Sequence, residues 1–218
     1  MVIFDCNGVL VDSEPLATAV VSREFMRAGF ALTPDLVTRY FAGRRQSDMF
    51  AEVEIAAGRK LPSGFAETVT MATLQKFRAE LRTTAHVVHA LSWLRGPKCV
   101  ASSSPMERIR ASLEATDLLR FFESNLFSAS DVPNGKPSPD LFLHVAGQMR
   151  VRAGDCLVVE DSPAGVTAAV SAGMTVIGFV GGSHAGFRLE QQLRDAGARV
   201  VIADMRALKS TVIDLRGW

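Results

Sequence analysis

Short apolar runs alternate with longer amphipathic stretches along most of this 218-residue chain. Six of the runs are rich in valine and isoleucine and lack polar alternation, as is typical of strands buried on both faces of a parallel sheet. They predict strands at residues 2–4, 99–101, 126–128, 157–159, 176–179 and 200–202. Helical spacing predicts helices between them at 106–114, 139–149, 164–172 and 187–196. This alternation indicates an α/β fold with a doubly wound parallel sheet.

One long stretch, residues 15–94, contains no convincing strand and reads as helices alone. Ser13 is a candidate cap for a first helix that has Pro15 in its first turn and stops at Gly29. Similar signals predict helices from residue 34 to just before 43, at 47–57 and at 65–81. We therefore predict an all-helical cap domain, residues 14–84, inserted into an α/β core made of residues 1–13 and 85–218.

Composition and charge narrow the class of protein. The chain is 48% hydrophobic and 22% charged, with a net charge of +1, which fits a globular protein. Such a balance gives no electrostatic reason to expect nucleic acid or an anionic membrane as a partner. No apolar run is long enough to span a bilayer, and the N-terminus lacks the basic region of a signal peptide. We expect a cytoplasmic monomer or homodimer whose three cysteines are small buried hydrophobes.

Polar residues follow four of the predicted strands. Asp5 comes directly after the first strand, and Asn7-Gly8 predicts a tight turn beside it. Open α/β sheets bind ligands at the carboxyl ends of their strands, so this acid is a candidate for chemistry. A plain hairpin turn explains Asn7-Gly8 equally well, and the two interpretations are compatible.

The other strand ends add groups suited to phosphate and metal binding. Ser102 and Ser103 precede a helix, where hydroxyls and free N–H groups form an anion cradle, although an ordinary serine cap is the alternative. Lys136 lies in a proline-rich loop and can neutralise a phosphoryl group, although most such lysines are merely solvated. Glu160-Asp161 end a buried strand, where adjacent carboxylates need a cation. Together these residues predict one site at one edge of the sheet.

The motifs resemble those of the haloacid dehalogenase-like hydrolases, most closely the branch of sugar-phosphate phosphatases and β-phosphoglucomutase-like enzymes. The resemblance covers nearly the whole chain and is carried by Asp5-x-Asn7-Gly8-Val9, Ser102, Lys136-Pro137 and Glu160-Asp161-Ser162-Pro163-Ala164-Gly165. It implies that Asp5 is a nucleophile that forms an aspartyl-phosphate. It further implies that Asp5, the backbone carbonyl of Asn7 and Asp161 hold Mg²⁺, with Glu160 acting directly or through water. Ser102 and Lys136 would grip the phosphate.

Asn7 departs from the family pattern, which has an aspartate there as general acid and base. An amide cannot exchange a proton near neutral pH, so the expected cost is on the order of 10²–10⁴ in rate. Two explanations stay open. One is an engineered replacement that preserves a substrate or phosphoenzyme complex, and the other is a natural chain that lost catalysis and kept binding. The function is therefore a phosphatase of small phosphorylated metabolites impaired by Asn7, or a non-catalytic phosphometabolite-binding protein.

Substrate choice is expected to come from the cap. The loop that contains Arg44 and Arg45 joins two cap helices, and paired arginines there favour a second anionic group on the substrate, as in a sugar-acid phosphate such as 6-phosphogluconate. A solvated helix start explains them about as well. Mutases of the family carry a cap histidine where this chain has Ala17, which counts against phosphosugar mutase activity. The four histidines fall outside the motifs, and we expect helix-surface or loop positions for them.

Overall fold

The computed structural model describes residues 1–41 and 43–216. Within them, a six-stranded sheet has the order β3-β2-β1-β4-β5-β6, and every neighbouring pair is parallel. The strands are β1 (Val2–Phe4), β2 (Lys98–Ser102), β3 (Leu126–Ser128), β4 (Leu157–Glu160), β5 (Thr175–Phe179) and β6 (Val200–Ile202). All six predicted strands are confirmed, with bounds that agree to within one residue.

The order of the strands reverses at the centre of the sheet. The chain begins at β1, moves outward through β2 and β3, and returns to the other side of β1 with β4. The predicted doubly wound α/β core is therefore confirmed. Such a switch point opens a crevice beyond the carboxyl ends of the two central strands, and ligands bind there in folds of this class.

Ten α-helices lie in the described ranges. They are α1 (Glu14–Arg27), α2 (Pro34–Phe41), α3 (Gln46–Ala57), α4 (Phe65–Glu80), α5 (Val87–Trp93), α6 (Met106–Ala115), α7 (Asp140–Gln148), α8 (Pro163–Ser171), α9 (Leu189–Asp195) and α10 (Leu208–Arg216). Eight of them were predicted. The pattern missed α5, which is too short for its periodicity to be read, and α10, whose spacing of Leu208, Val212 and Leu215 is readable.

The expected capping role of Ser13 is wrong. Its hydroxyl is buried without a hydrogen-bond partner, and its backbone has φ −91° and ψ −23°. These dihedral angles are already helical, whereas a capping residue is usually extended so that its side chain can reach back to the first turn. The predicted stop at Gly29 is correct, since this glycine has φ +79° and its N–H donates to the carbonyl of Met26 at 3.0 Å.

Alternate residues of the central strand face opposite sides of the sheet. Val2 and Phe4 lie in one hydrophobic cluster, which also contains residues from α5, α6 and α10. Ile3 lies in a second cluster, built with residues from α7, α8 and α9. Both faces of β1 are therefore buried, which explains why its sequence shows no polar alternation. Packing on both faces also holds β1 in place, and with it the backbone of Asp5, the next residue.

The helices α1 to α4 enclose a third hydrophobic cluster. At its centre the Phe25 ring meets the rings of Phe30, Phe50 and Phe65 edge to face, with centroid separations of 5.9, 5.5 and 4.8 Å. A helical unit with its own core agrees with the inserted cap that the sequence predicted.

The cap joins the core through two adjacent segments. The N–H of Asp12 donates to the carbonyl of Arg82 at 2.9 Å, and the N–H of Thr84 donates to Leu10 at 3.0 Å. The Thr84 hydroxyl adds a hydrogen bond to the carbonyl of Val9 at 2.6 Å. These bonds tie the outgoing and returning segments together, near the boundaries predicted at residues 13/14 and 84/85, which stay predictions. No helix within the described ranges is long and apolar enough to cross a membrane.

Replacing Phe25 with alanine should destabilise the protein by about 3–5 kcal/mol, because it empties the centre of the cap cluster. Urea denaturation followed by circular dichroism measures the free energy of unfolding. Met71 is 64% exposed on α4 and supplies a control, so Met71→Ala should change that free energy by less than about 0.5 kcal/mol. Equal losses in the two variants would contradict the assignment of Phe25 to a tightly packed cap core.

Candidate active site

The site lies at the carboxyl ends of the two central strands. Phe4, the last residue of β1, pairs with Val159 in the sheet. The N–H of the next residue, Asp5, donates to the Val159 carbonyl at 3.0 Å. This register places Asp5 beside Glu160, the last residue of β4. Both side chains are buried, with residue exposures of 6% and 0%. The reversal of strand order thus brings two of the predicted acids together.

Lys136 connects these two carboxylates. Its Nζ lies 2.6 Å from Asp5 Oδ1 and 2.5 Å from Glu160 Oε1, and the lysine is only 2% exposed. Burial works to lower the pKa of Lys136, but Asp5 and Glu160 outweigh it and hold that pKa above its usual value. The ammonium therefore stays charged and is buried at the strand ends, not solvated, while its predicted role in neutralising a phosphoryl group stays a prediction.

Glu160 is held on both of its oxygens. Oε1 pairs with Lys136, and Oε2 accepts hydrogen bonds from the N–H of Asp161 at 2.8 Å and from the N–H and hydroxyl of Ser162 at 2.9 and 3.0 Å. A Cβ on Gly165 would lie 1.8 Å from Oε1, so only glycine fits at that position of α8. Glu160 therefore positions Lys136 and the start of α8, and its predicted metal role stays a prediction.

Asp161 is paired with a histidine that the sequence analysis did not assign to the site. His184 Nε2 lies 2.9 Å from Asp161 Oδ2. Burial works to lower the pKa of His184, but the hydrogen bond and charge of Asp161 raise it above its usual value. The expected loop position of this residue is correct. The missed signal is that its loop, Gly181-Gly182-Ser183-His184, follows the buried strand β5 at the same edge of the sheet as Asp5.

Gly8 allows the turn after Asp5 to approach Asp161. It has φ +72°, which favours glycine, and a Cβ at this position would lie 1.8 Å from Asp161 Oδ2. Its N–H donates to the carbonyl of Val11 at 2.7 Å, which closes the turn that Asn7-Gly8 predicted.

Asn7 faces the serines that follow β2. Its Nδ2 donates to Ser104 Oγ at 2.9 Å, while its Oδ1 is buried without a hydrogen-bond partner. The Ser102 hydroxyl is fully buried and accepts from the N–H of Ser104 at 3.2 Å. The Ser103 hydroxyl donates to the carbonyl of Gly43 in the cap, at 2.8 Å. The structure thus brings the serines to the site, although their predicted contact with phosphate stays a prediction.

A cavity of about 480 Å³ opens above these groups, between the core and the cap. Its lining includes Asp5, Asn7, Ser103 and Asp161 from the core. Ser102, Lys136 and Glu160 are buried behind its wall. The cavity is large enough for a small phosphorylated metabolite.

The predicted cap loop does reach this cavity, since both Arg44 and Arg45 line it. Arg44 makes an ion pair with Glu52, in which Nη1 lies 3.1 Å from Oε2. Arg45 donates to the carbonyls of Val132 and Pro133, both at 3.3 Å. A Cβ on Gly43 would lie 2.2 Å from Ser162 Oγ, so the loop is docked directly on the core. Both guanidinium groups thus have protein partners, and their predicted contact with substrate stays a prediction.

The site carries more negative than positive charge. Burial raises the pKa of Asp5 well above its usual range; Lys136 opposes this rise, and Glu160 and Asp161 add to it. Burial also raises the pKa of Asp161 to about 7, although the hydrogen bond from His184 works in the other direction. Three neighbouring carboxylates face only one ammonium and one histidine, so the site is suited to binding an additional cation. Within the described residues, however, no three His, Cys, Asp or Glu side chains are grouped so that they could hold a metal ion by themselves.

An acid after the first strand, a lysine-bridged carboxylate pair and a capped cavity are the features of a hydrolase of the haloacid dehalogenase type. A family model described as haloacid dehalogenase-like hydrolase matches residues 1–173. Escherichia coli 6-phosphogluconate phosphatase is 33% identical over 184 residues, which are 84% of this chain and 83% of that protein.

Solved structures agree with this assignment. A haloacid dehalogenase-like protein of Agrobacterium tumefaciens is 35% identical, with a TM-score of 0.82 over 99% of this chain and 98% of that one. A hydrolase of the same family from Deinococcus radiodurans, which contains bound phosphate and sodium, is 26% identical, with a TM-score of 0.74 over 98% and 94%. The chain belongs to the haloacid dehalogenase-like hydrolase family, and the predicted class, a phosphoric monoester hydrolase, is confirmed.

Replacing Lys136 with methionine should destabilise the fold by about 3–5 kcal/mol, because Asp5 and Glu160 lose their buried partner. The loss should be larger at pH 8 than at pH 5. Burial already raises the pKa of Asp5 above its usual range, and loss of the ammonium removes the charge that opposes this rise. The folded variant therefore takes up a proton on Asp5 as the pH falls, and part of the lost stability returns. Urea denaturation at the two pH values measures both effects.

Lys76→Met is the matched control for this variant. Lys76 Nζ pairs with Glu80 Oε1 at 2.5 Å on the outer face of α4, where both side chains are partly exposed. Its removal should cost less than about 1 kcal/mol. If Lys136→Met lowered the free energy of unfolding by no more than that, or by an amount that does not change with pH, a buried charge bridge would be contradicted.

Proposed function

We propose that this protein is a Mg²⁺-dependent phosphatase of small phosphorylated sugars or sugar acids, and that it works through an aspartyl-phosphate on Asp5. The observation that carries this proposal is the position of Asp5. Its carboxylate lies on the floor of the cavity, with Lys136 at 2.6 Å on one oxygen. Lys136 favours the charged form of this carboxylate, which is the form that attacks, and the cavity leaves room for a substrate beside it.

The steps assigned to the chain's own residues follow from these contacts. Lys136 hydrogen-bonds to Asp5 Oδ1, so the second oxygen, Oδ2, is the one assigned to attack phosphorus. The bond from Oδ2 to phosphorus forms as the ester oxygen leaves, and water later displaces the phosphate from Asp5. Lys136 offsets the charge of the phosphoryl group as it nears the carboxylate.

The acidic residues fit a divalent cation. Asp5 and Asp161 would hold it together with the backbone carbonyl of Asn7, a set with only two acidic side chains. The excess of negative charge around Asp5 supports the proposal, as does the binding of phosphate with sodium by the Deinococcus relative. When bound, Mg²⁺ supplies charge neutralisation for the transferring phosphoryl group.

The amide at position 7 withholds the proton that the leaving oxygen needs. It occupies the place of the acid, because Asn7 lines the cavity next to Asp5 and donates to Ser104 Oγ. An aspartate fits the same contact, since a serine hydroxyl can accept from an amide or donate to a carboxylate. The proposed phosphatase is therefore impaired at residue 7, and the surroundings of this residue can accommodate the aspartate of an active enzyme.

Substrate class is inferred from the cavity and from the relatives. The wall carries several arginines, and the Escherichia coli relative is a 6-phosphogluconate phosphatase, both of which support a phosphorylated sugar acid. Ala17 also lines the cavity, and its methyl group cannot transfer a proton, so a mutase is not proposed. The amide of Asn7 favours one second candidate, a phosphometabolite-binding protein that needs no turnover.

Mg²⁺ should bind this chain although Asn7 replaces an acid, because the proposed ligand at that position is a main-chain oxygen. Isothermal titration calorimetry measures the affinity, and Asp161→Ala should weaken it by about tenfold or more, because a carboxylate oxygen is lost. Asp195→Ala removes an exposed carboxylate on α9 and should leave the affinity unchanged. Equal affinity in wild type and Asp161→Ala would remove Asp161 from the metal site.

Asn7→Asp should accelerate hydrolysis of a sugar phosphate on the order of 10²- to 10⁴-fold, because it restores an acid and base. The chain as it stands should release a burst of p-nitrophenol from p-nitrophenyl phosphate and then stall. That leaving group needs little protonation, whereas hydrolysis of the aspartyl-phosphate needs a base. Steady-state and stopped-flow assays with Mg²⁺ measure the two rates.

Asn125→Asp is the control for this change, since it makes the same substitution in the turn before β3, at the opposite edge of the sheet. A mass measurement on fresh protein excludes deamidation at Asn7-Gly8, which would create the active form. An Asn7→Asp variant that is inactive across a broad panel of phosphate esters would overturn the phosphatase proposal and favour the binding protein.

A further inference from the structure

Arg108 is a cationic side chain of the cavity wall that none of the steps above uses. It lies in the first turn of α6, just after the serines that follow β2, and it lines the cavity together with Asn7 and Ser104. Its Nε is buried and has no hydrogen-bond partner. A buried donor without a partner costs free energy, so such a group is a candidate for contact with a ligand.

The position of Arg108 is fixed by the cap. Its Cζ lies 5.0 Å from the centre of the Phe77 ring, and Phe77 is itself only 1% exposed. An arginine that stacks on an aromatic ring keeps its N–H groups in the plane of the guanidinium available for an acceptor. The packing of the cap on the core therefore holds this cation in place without using its hydrogen bonds.

The neighbouring arginines are engaged differently. Arg44 is paired with Glu52, and Arg45 donates to two carbonyls of the core through its Nη atoms, although its Nε is also buried without a hydrogen-bond partner. Among the described residues, by contrast, none accepts a hydrogen bond from the Arg108 side chain. Arg108 feels the charge of Glu14, which lines the same cavity, but no hydrogen bond joins these two side chains within the described residues. Burial lowers the pKa of Arg108, and Glu14 offsets only part of that effect. A carboxylate would supply both the missing acceptor and the missing charge.

We propose that Arg108 determines specificity by receiving a carboxylate at the end of the substrate remote from its phosphate. The proposal deepens the proposed function and rests on it. Asn7 and Ser104, at the edge of the phosphate site, and Arg108 line one cavity, so a phosphorylated sugar acid can meet the nucleophile at one end and this arginine at the other. In this assignment the substrate's distal charge is met by Arg108 on the core rather than by Arg44 or Arg45 on the cap loop.

Binding measured without turnover tests this assignment. Isothermal titration calorimetry with Mg²⁺ compares 6-phosphogluconate, glucitol 6-phosphate and inorganic phosphate on the chain with Asn7, which is expected to hydrolyse sugar phosphates poorly. The first two ligands are open chains with phosphate on carbon 6, and they differ in having a carboxylate or an alcohol at carbon 1. Arg108→Gln should weaken 6-phosphogluconate by about 10- to 100-fold, as expected for a lost charge-assisted hydrogen bond. Its affinity for inorganic phosphate should change by less than about twofold, because the phosphate site is untouched.

Three further variants make the outcome decisive. Arg110→Gln removes an exposed arginine two residues along α6 and should bind all three ligands like wild type. Arg108→Lys should recover part of the affinity for 6-phosphogluconate, and Arg108→Met, which retains a long apolar stem against Phe77, should not. Thermal melting confirms that each variant is folded.

Equal losses for 6-phosphogluconate and glucitol 6-phosphate in Arg108→Gln would overturn the assignment, as would a loss of phosphate binding of the same size. These outcomes are distinct from failure of the proposed function. That failure would appear as an inactive Asn7→Asp variant, while a selective loss of 6-phosphogluconate binding would still place Arg108 at the carboxylate.

Discussion

The ammonium of Lys136 between Asp5 and Glu160 is the contact on which the rest of the site depends. It links the ends of β1 and β4 to the loop before α7, three segments that are far apart in the sequence. Each of these groups is expensive to bury alone, and together they offset one another's charge. Small displacements of either strand would break this balance, so the packing on both faces of the sheet keeps the nucleophile in position.

The central strands of the fold could be predicted because burial on two faces leaves a strong signal in the sequence. The polar residues after them could also be predicted, since parallel strands bring their carboxyl ends to one edge. His184 follows β5, so its loop could have been placed at that edge, but neither its side chain nor that of Arg108 could be assigned to the cavity. Whether a residue on a loop or in the first turn of a helix faces the cavity depends on the path of the backbone, which the local sequence does not encode.

The paired arginines of the cap loop show the limit of reasoning from residue type. Arginine suits an anionic ligand, but it suits a glutamate or a backbone carbonyl equally well, and here Arg44 and Arg45 have such partners. Which acceptor an arginine uses is decided by tertiary contacts such as the close approach of Gly43 to Ser162. The helices of the cap were nevertheless predictable, because α1 and α3 stop at Gly29 and Gly58 and the apolar spacing is regular.

The central position of β1 has a consequence for how the chain acquires its structure during synthesis. Of the six strands, β1 is made first, yet one neighbour, β2, is made about ninety residues later and the other, β4, more than one hundred and fifty residues later. The cap, whose helices pack mainly on one another, can form in the meantime. Until β4 emerges, β1 remains an apolar segment with an open edge, so a nascent chain stalled before residue 157 would expose a strand edge that favours aggregation and would have no assembled nucleophile.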